Sequence, residues 1–144
     1  MAVRVRLRIR CSGSGKVVDT VALVNSGYET ERPELMIPIA LARELGLWPP
    51  PPTATIIELG TAGGPVRKYL VPNALEVEVI ESDRTVGPVR CDAVIFHIEE
   101  EVLIKDKLGE ELRIVILGLA SGRWRFEDDS PSIVRKSYPP QYWR

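Results

Sequence analysis

The chain has 144 residues, with 19 Lys+Arg against 20 Asp+Glu and a formal net charge of −1. That is enough for one domain with one core, and too balanced for a global field that would draw in nucleic acid or a membrane surface. No apolar run approaches the roughly 20 residues of a membrane span. Residues 1–10 lack the continuous apolar stretch of a signal peptide, so a cytoplasmic protein without a membrane partner is expected. The chain has two Asn and one Gln alongside 27% charged residues, a pattern common in thermophile proteins. Cys11 and Cys91 are 80 positions apart. Two ordinary thiols are the plainer reading, and a bridge stays open if the source is a hyperthermophile.

Val3, Val5, Leu7 and Ile9 alternate with Arg4, Arg6, Arg8 and Arg10, which predicts a strand with one buried face and one guanidinium face. Ser12-Gly13-Ser14-Gly15 is a turn, and Val17 to Val24 a second strand. This hairpin runs directly into Asn25-Ser26-Gly27. Pro38 to Leu45 predicts a helix, with Pro38 suited to its first turn and Gly46 to its C-terminal cap. The run Pro49 to Pro52 forces an extended connector. Thr53 to Leu59 and Val66 to Val71 flank the glycine-rich tip Gly60-Thr61-Ala62-Gly63-Gly64-Pro65. Ala74 to Ile80 and Val86 to Ile98 read as strands, with turns near Ser82-Asp83 and Gly87-Pro88. Val102 to Ile104 and Leu112 to Leu117 bracket a charged turn at residues 105–111. The expectation is an all-β domain over residues 1–122 with one short helix, built as a small barrel. Residues 123–144 are expected to form an irregular tail rich in Trp, Arg and Pro.

His97 is the only histidine, and Cys11, Cys91 and His97 are too scattered for a zinc pattern, so no metal or cofactor is expected. A Cys91–His97 catalytic pair is less favoured than buried structural roles for both. Residues 60–64 lack the Gly-Lys-Ser/Thr of a phosphate loop. Asp128-Asp129 reads as solvated.

Ala22-Leu23-Val24-Asn25-Ser26-Gly27 resembles the active-site loop of the retropepsin-like aspartic proteases, in which apolar residues precede Asp-Thr-Gly or Asp-Ser-Gly. The glycine-tipped hairpin stands where that family has its flap. Val115-Ile116-Leu117-Gly118 resembles its apolar-apolar-Gly segment, which implies that Leu117 and Gly118 support the active-site loop. Asp19-Thr20 is a decoy for the catalytic dipeptide, because Val21 follows where the loop needs glycine.

The resemblance implies a retropepsin-like acid-protease barrel with one lobe per subunit. Each subunit of a homodimer would present position 25 at a shared cleft, with residues 60–64 as a flap over an extended peptide. In active members two carboxylates share a proton and activate water. Here Asn25 occupies the aspartate's position, and a carboxamide cannot take that proton. Ser26 can brace the paired loops, and Gly27 allows the close backbone approach. The expectation is an intact dimer and cleft without hydrolysis. One competing reading is an active endopeptidase in which Asn25 is engineered or recoverable. The other is a nucleic-acid-binding β domain using the Arg4, Arg6, Arg8 and Arg10 face, which the net charge disfavours.

Overall fold

The computed structural model describes residues 2–25 and 30–144, with all their side chains except those of Leu59 and Thr61. Ser26 and Gly27, singled out from the sequence, lie outside the described residues.

The alternating N-terminal segment forms β1 (Arg4–Cys11), whose apolar positions Val5, Leu7, Ile9 and Cys11 are at most 1% exposed. It pairs antiparallel with β2 (Val17–Val24), as the hairpin pattern requires. After the loop come β3 (Glu34–Ile37) and α1 (Ile39–Leu45). Helix α1 ends where predicted: Gly46 takes φ 80°, and the N–H at the cap returns to the carbonyls of Ala42 and Arg43. Leu41, Ala42 and Leu45 give its buried face.

β4 (Thr55–Thr61) and β5 (Gly64–Ile80) form the glycine-tipped hairpin, its last pair Thr61–Gly64 leaving Ala62-Gly63 as the turn. The two strands expected at 66–71 and 74–80 are one 17-residue strand with a register shift between Val71 and Leu75. Asn73 sits at that shift with φ 51°, a conformation asparagine tolerates better than most residues. β6 (Thr85–Phe96) and β7 (Val102–Ile104) follow. Gly87-Pro88 lies inside β6, where a turn was expected.

Strands β1-β2-β7-β3-β6-β5 are hydrogen-bonded in that order, and a β5–β1 pairing closes the ring, so six strands make a barrel with β4 as an outer seventh. The all-β expectation holds. Its interior is filled by Leu7, Ile9, Leu35, Ile37, Leu75, Ile95 and Ile104, with Leu41 and Leu45 from α1. Cys11 and Cys91 are unbridged and buried. Each pairs with Leu75 from opposite sides of β5, which separates them by two strand spacings, ~9.6 Å, beyond disulfide reach.

The charged segment read as a turn at 105–111 is instead a helix, α2 (Asp106–Glu111), with Leu108 fully buried. One buried leucine gives too little periodicity to reveal a six-residue helix. Three more strands, β8 (Ile114–Gly118), β9 (Arg123–Phe126) and β10 (Arg135–Lys136), form a second sheet in the order β10-β9-β8.

The expected irregular tail therefore requires correction. Trp124 and Phe126 are fully buried within the same core cluster as the barrel residues. Their rings meet edge to face at 5.0 Å. Two large aromatics spaced by one residue are a strand's buried face, and the prolines around them mask the signal. Asp129, read as solvated, is only 9% exposed. It is bonded to Arg135 and Arg84, while Arg135 also reaches Asp83 and Glu81 at the β5–β6 turn. Further on, Tyr138 donates its hydroxyl to Glu81 at 2.5 Å, and Trp143 donates its indole N–H to Thr20 at 2.9 Å.

Candidate functional site

Position 25 follows directly from β2. Val24 donates its N–H to Val3 and Asn25 donates its N–H to Ile104, both at 2.9 Å. The end of β2 is thus held between the start of β1 and the end of β7, and Asn25 is partly buried. The β2–β7 pairing is parallel, with Ala22, Leu23 and Val24 opposite Val102, Leu103 and Ile104.

Among the described residues, this register gives the strand that neighbours Asn25. Leu117 and Gly118, expected from the sequence to support the active-site loop, lie in β8 of the second sheet. The backbone bond to Asn25 comes from β7. Both segments are short apolar runs, and sequence alone does not decide which one enters the barrel. Gly118 has a local reason to be glycine: a Cβ there would collide with the Ser121 hydroxyl.

Strand alternation gives the barrel wall two faces. On the outer face one row crosses five strands in direct register. Leu23 pairs with Leu103, Leu103 with Met36, Met36 with Val94, and Val94 with Leu70. These residues, with Phe96, form a hydrophobic cluster separate from the barrel core. Met36, Val94 and Leu103 are nearly buried, and Leu23, Leu70 and Phe96 are partly exposed. Sequence reading found Leu23 but missed the row, because its members come from five strands whose order is not sequential.

Next to this apolar row lies a charged one. Lys105 follows β7, and its N–H reaches the Glu34 carbonyl at 3.4 Å, a weak bond. Glu34 pairs with Asp92 across β3 and β6. Lys68 stands on the other side of the apolar row, where it pairs with Phe96 and its Nζ lies 4.8 Å from that ring's centroid. Lys68 is 8%, Lys105 2% and Asp92 2% exposed. Burial would raise the Asp92 carboxyl, but two bonds from Arg32, at 2.9 and 3.1 Å, and the Asn73 N–H outweigh it and hold Asp92 below the usual range. Burial, aided by Asp92's charge, pushes Glu34 up, against the pull of Lys105, Lys68 and Arg32. Burial and then the neighbouring Lys68 push Lys105 down, against Glu34, Glu99 and Asp106. Lys105 is visible in the sequence only as the polar end of Val102-Leu103-Ile104, which gives no hint of its burial.

The β4–β5 hairpin extends from the strand that carries Lys68 and Leu70, and residues Gly60, Thr61, Ala62, Gly63 and Gly64 form its tip. Its base borders a cavity of about 530 Å³ lined by Ile39, Trp48, Tyr69, Val66, Arg67 and His97. His97 lies beyond β6 and is exposed, so the buried role expected for it belongs to Cys91 alone. Burial pushes the Cys91 thiol far up, which makes it inert as a nucleophile. Among the described residues no group of three or more His, Cys, Asp or Glu could hold a metal. No helix of the described chain is long and apolar enough to cross a membrane.

The arginine face of β1 is largely engaged. Arg4 pairs with Glu101 at 2.7 Å and Arg8 with Asp19 at 2.9 Å, and the Arg6 guanidinium sits 6.0 Å from the Tyr138 ring centroid. Asp19 lies within β2, consistent with its being a decoy. Arg123 donates to Ser121 and Arg125 to the carbonyls of Phe126 and Glu127. Trp124 is buried and so is not open for stacking, while Tyr142 is exposed with the Arg144 guanidinium 4.8 Å from its ring centroid.

No family model matches the sequence, and no curated protein matches it.

Proposed function

We propose that the chain is a retropepsin-like protein that binds extended peptides as a homodimer and does not hydrolyse them. The observation that carries this reading is the position of Asn25. It follows the strand that contributes Leu23 to the outer apolar row, and it is anchored to β7 in parallel register. A peptide lying along that row would meet apolar side chains from β2, β7, β3, β6 and β5, and the β4–β5 hairpin would add backbone bonds to it as a flap.

The chemistry stops at one atom. Hydrolysis by this kind of site needs a carboxylate to take a proton from water, and the Asn25 carboxamide has none to offer. Two facing carboxamides can hydrogen-bond to each other without the repulsion of an aspartate pair, so a dimer keeps its contacts.

The test is a cleavage assay on an unstructured protein substrate between pH 3 and 7, comparing the chain with Asn25→Asp. The expected outcome is cleavage by the Asp form alone, at least about 10²-fold above the Asn form, and its inhibition by a pepstatin-type peptide. If both forms are folded dimers and neither cuts, the protease-derived reading of the cleft fails.

A further inference from the structure

The β4–β5 hairpin has a second face. Strand alternation puts Lys68 and Leu70 on one side of β5 and Arg67 and Tyr69 on the other, and Glu58 of β4 pairs directly with Arg67. The side with Leu70 belongs to the outer apolar row. The side with Tyr69 packs on the barrel core and borders the cavity of about 530 Å³. Helix α1 contributes Ile39 to that cavity, the segment after it Trp48, and the segment after β6 His97. Its volume is in the range of small-molecule sites, which combine an apolar wall with a few polar groups. Trp48 and Tyr69 meet edge to face at 5.4 Å and 80°, so their rings form a corner rather than a stack. An aromatic guest continues that pattern of edges and faces, a gain that an aliphatic guest lacks.

Glu58 and Arg67 line the same cavity, paired at 3.1 Å with side chains 58% and 61% exposed. An ion pair this exposed holds little energy and rearranges at small cost. Its two charges cancel, so a ligand of one net sign is drawn by one partner and repelled by the other. A ligand carrying both charges on one carbon answers both at once, its carboxylate on the guanidinium fork and its ammonium on the glutamate. We infer that this pocket binds a free aromatic α-amino acid, with the ring in the corner of Trp48 and Tyr69 beside His97 and the two charges on Glu58 and Arg67. The site is independent of the peptide-cleft reading, because the apolar row lies on the opposite face of the hairpin strands.

The test is titration of the full chain with L-phenylalanine, L-leucine and N-acetyl-L-phenylalanine amide. The readout is the Trp48 indole N–H signal in nuclear magnetic resonance spectra, assigned by its loss in Trp48→Phe. Leucine keeps both charges and removes the ring, whereas the blocked amide keeps the ring and removes both charges. The expected result is saturable binding of phenylalanine, about tenfold tighter than that of either other probe. In the double variant Glu58→Gln with Arg67→Gln, phenylalanine should fall to the affinity of the blocked amide. The wild-type comparison decides the matter even if the variant does not fold. Phenylalanine binding no tighter than the blocked amide, or no tighter than leucine, overturns the proposal. So does a Trp48 signal that moves with none of the three.

Discussion

Asp129 accepts four hydrogen bonds: from the Phe126 N–H at 2.8 Å, from Arg135 Nε and Nη2 at 2.9 and 3.1 Å, and from Arg84 Nη1 at 3.1 Å. The side-chain bonds from Arg135 are the largest influence, and with the others they overcome burial and hold its carboxyl at about 2. A carboxylate with a depressed folded-state pKa stabilises the fold fully above its unfolded value near 4, and that contribution is lost as pH falls from about 4 to 2. The size is about 2 kcal/mol at neutral pH. Asp129→Asn should therefore lower stability by about that amount at pH 7, and its stability should fall less than the wild type's between pH 5 and 2. Denaturant unfolding at pH 7, 4 and 2.5 checks this, and parallel acid limbs for the two proteins would remove Asp129 from the account. Nothing in Asp128-Asp129 announces the role. A carboxylate pair among prolines in a charged segment reads as solvated, and only the return of Arg135 from six residues on and of Arg84 from the β5–β6 turn makes Asp129 a clamp.

At the scale of elements, strands with strict alternation were legible and those with mixed environments were not. β1 and β2 follow from Val-Arg alternation and the Ser-Gly turn, and α1 follows from Pro38 and Gly46. β3 was hidden inside Leu35-Met36-Ile37 because both its faces are buried, Leu35 and Ile37 in the barrel and Met36 in the outer row. A short fully apolar run carries no period to separate strand from helix. β9 was hidden for a different reason: its alternation, Arg-Trp-Arg-Phe, was taken for a loose basic-aromatic arm. Its burial carries a prediction. Trp124 is fully buried and its indole N–H reaches the Lys136 carbonyl, so Trp124→Ala should cost about 3–5 kcal/mol. That is a large share of the roughly 5–15 kcal/mol a domain has in total. Deleting residues 123–144 should then leave a chain that does not unfold cooperatively on heating, rather than one that folds and merely associates less. A truncated chain with a sharp thermal transition would show that the second sheet is dispensable.

For the whole molecule, the barrel class was readable from patterning, whereas the arrangement around the candidate site was not. The apolar row, with Lys105 beside it, exists because β7 passes between β2 and β3, an order that no local signal encodes. The same topology leaves β8 at one margin of its sheet, paired with β9 alone among the described strands. β8 is apolar throughout, and Leu117 and Leu119 at its end are 39% and 58% exposed. A groove of about 510 Å³ beside it is lined by Val24, Ile114 and Ile116 together with Lys105, Asp106, Glu110 and Glu127, so this edge and the end of β2 border one groove. An apolar edge strand is a template for another strand, and proteins that stay monomeric blunt such edges with charge. In the homodimer reading the natural occupant is the β8 of a second copy, since an antiparallel pair about a twofold axis is self-complementary and would bring the two position-25 loops toward each other. Leu117→Lys with Leu119→Lys puts like charges across that axis. Sedimentation equilibrium should show the wild type as a dimer and the double variant as a monomer with an unchanged circular dichroism spectrum. A wild type that stays monomeric at every concentration removes the homodimer, and with it the shared cleft. A variant that still dimerises moves the interface away from β8.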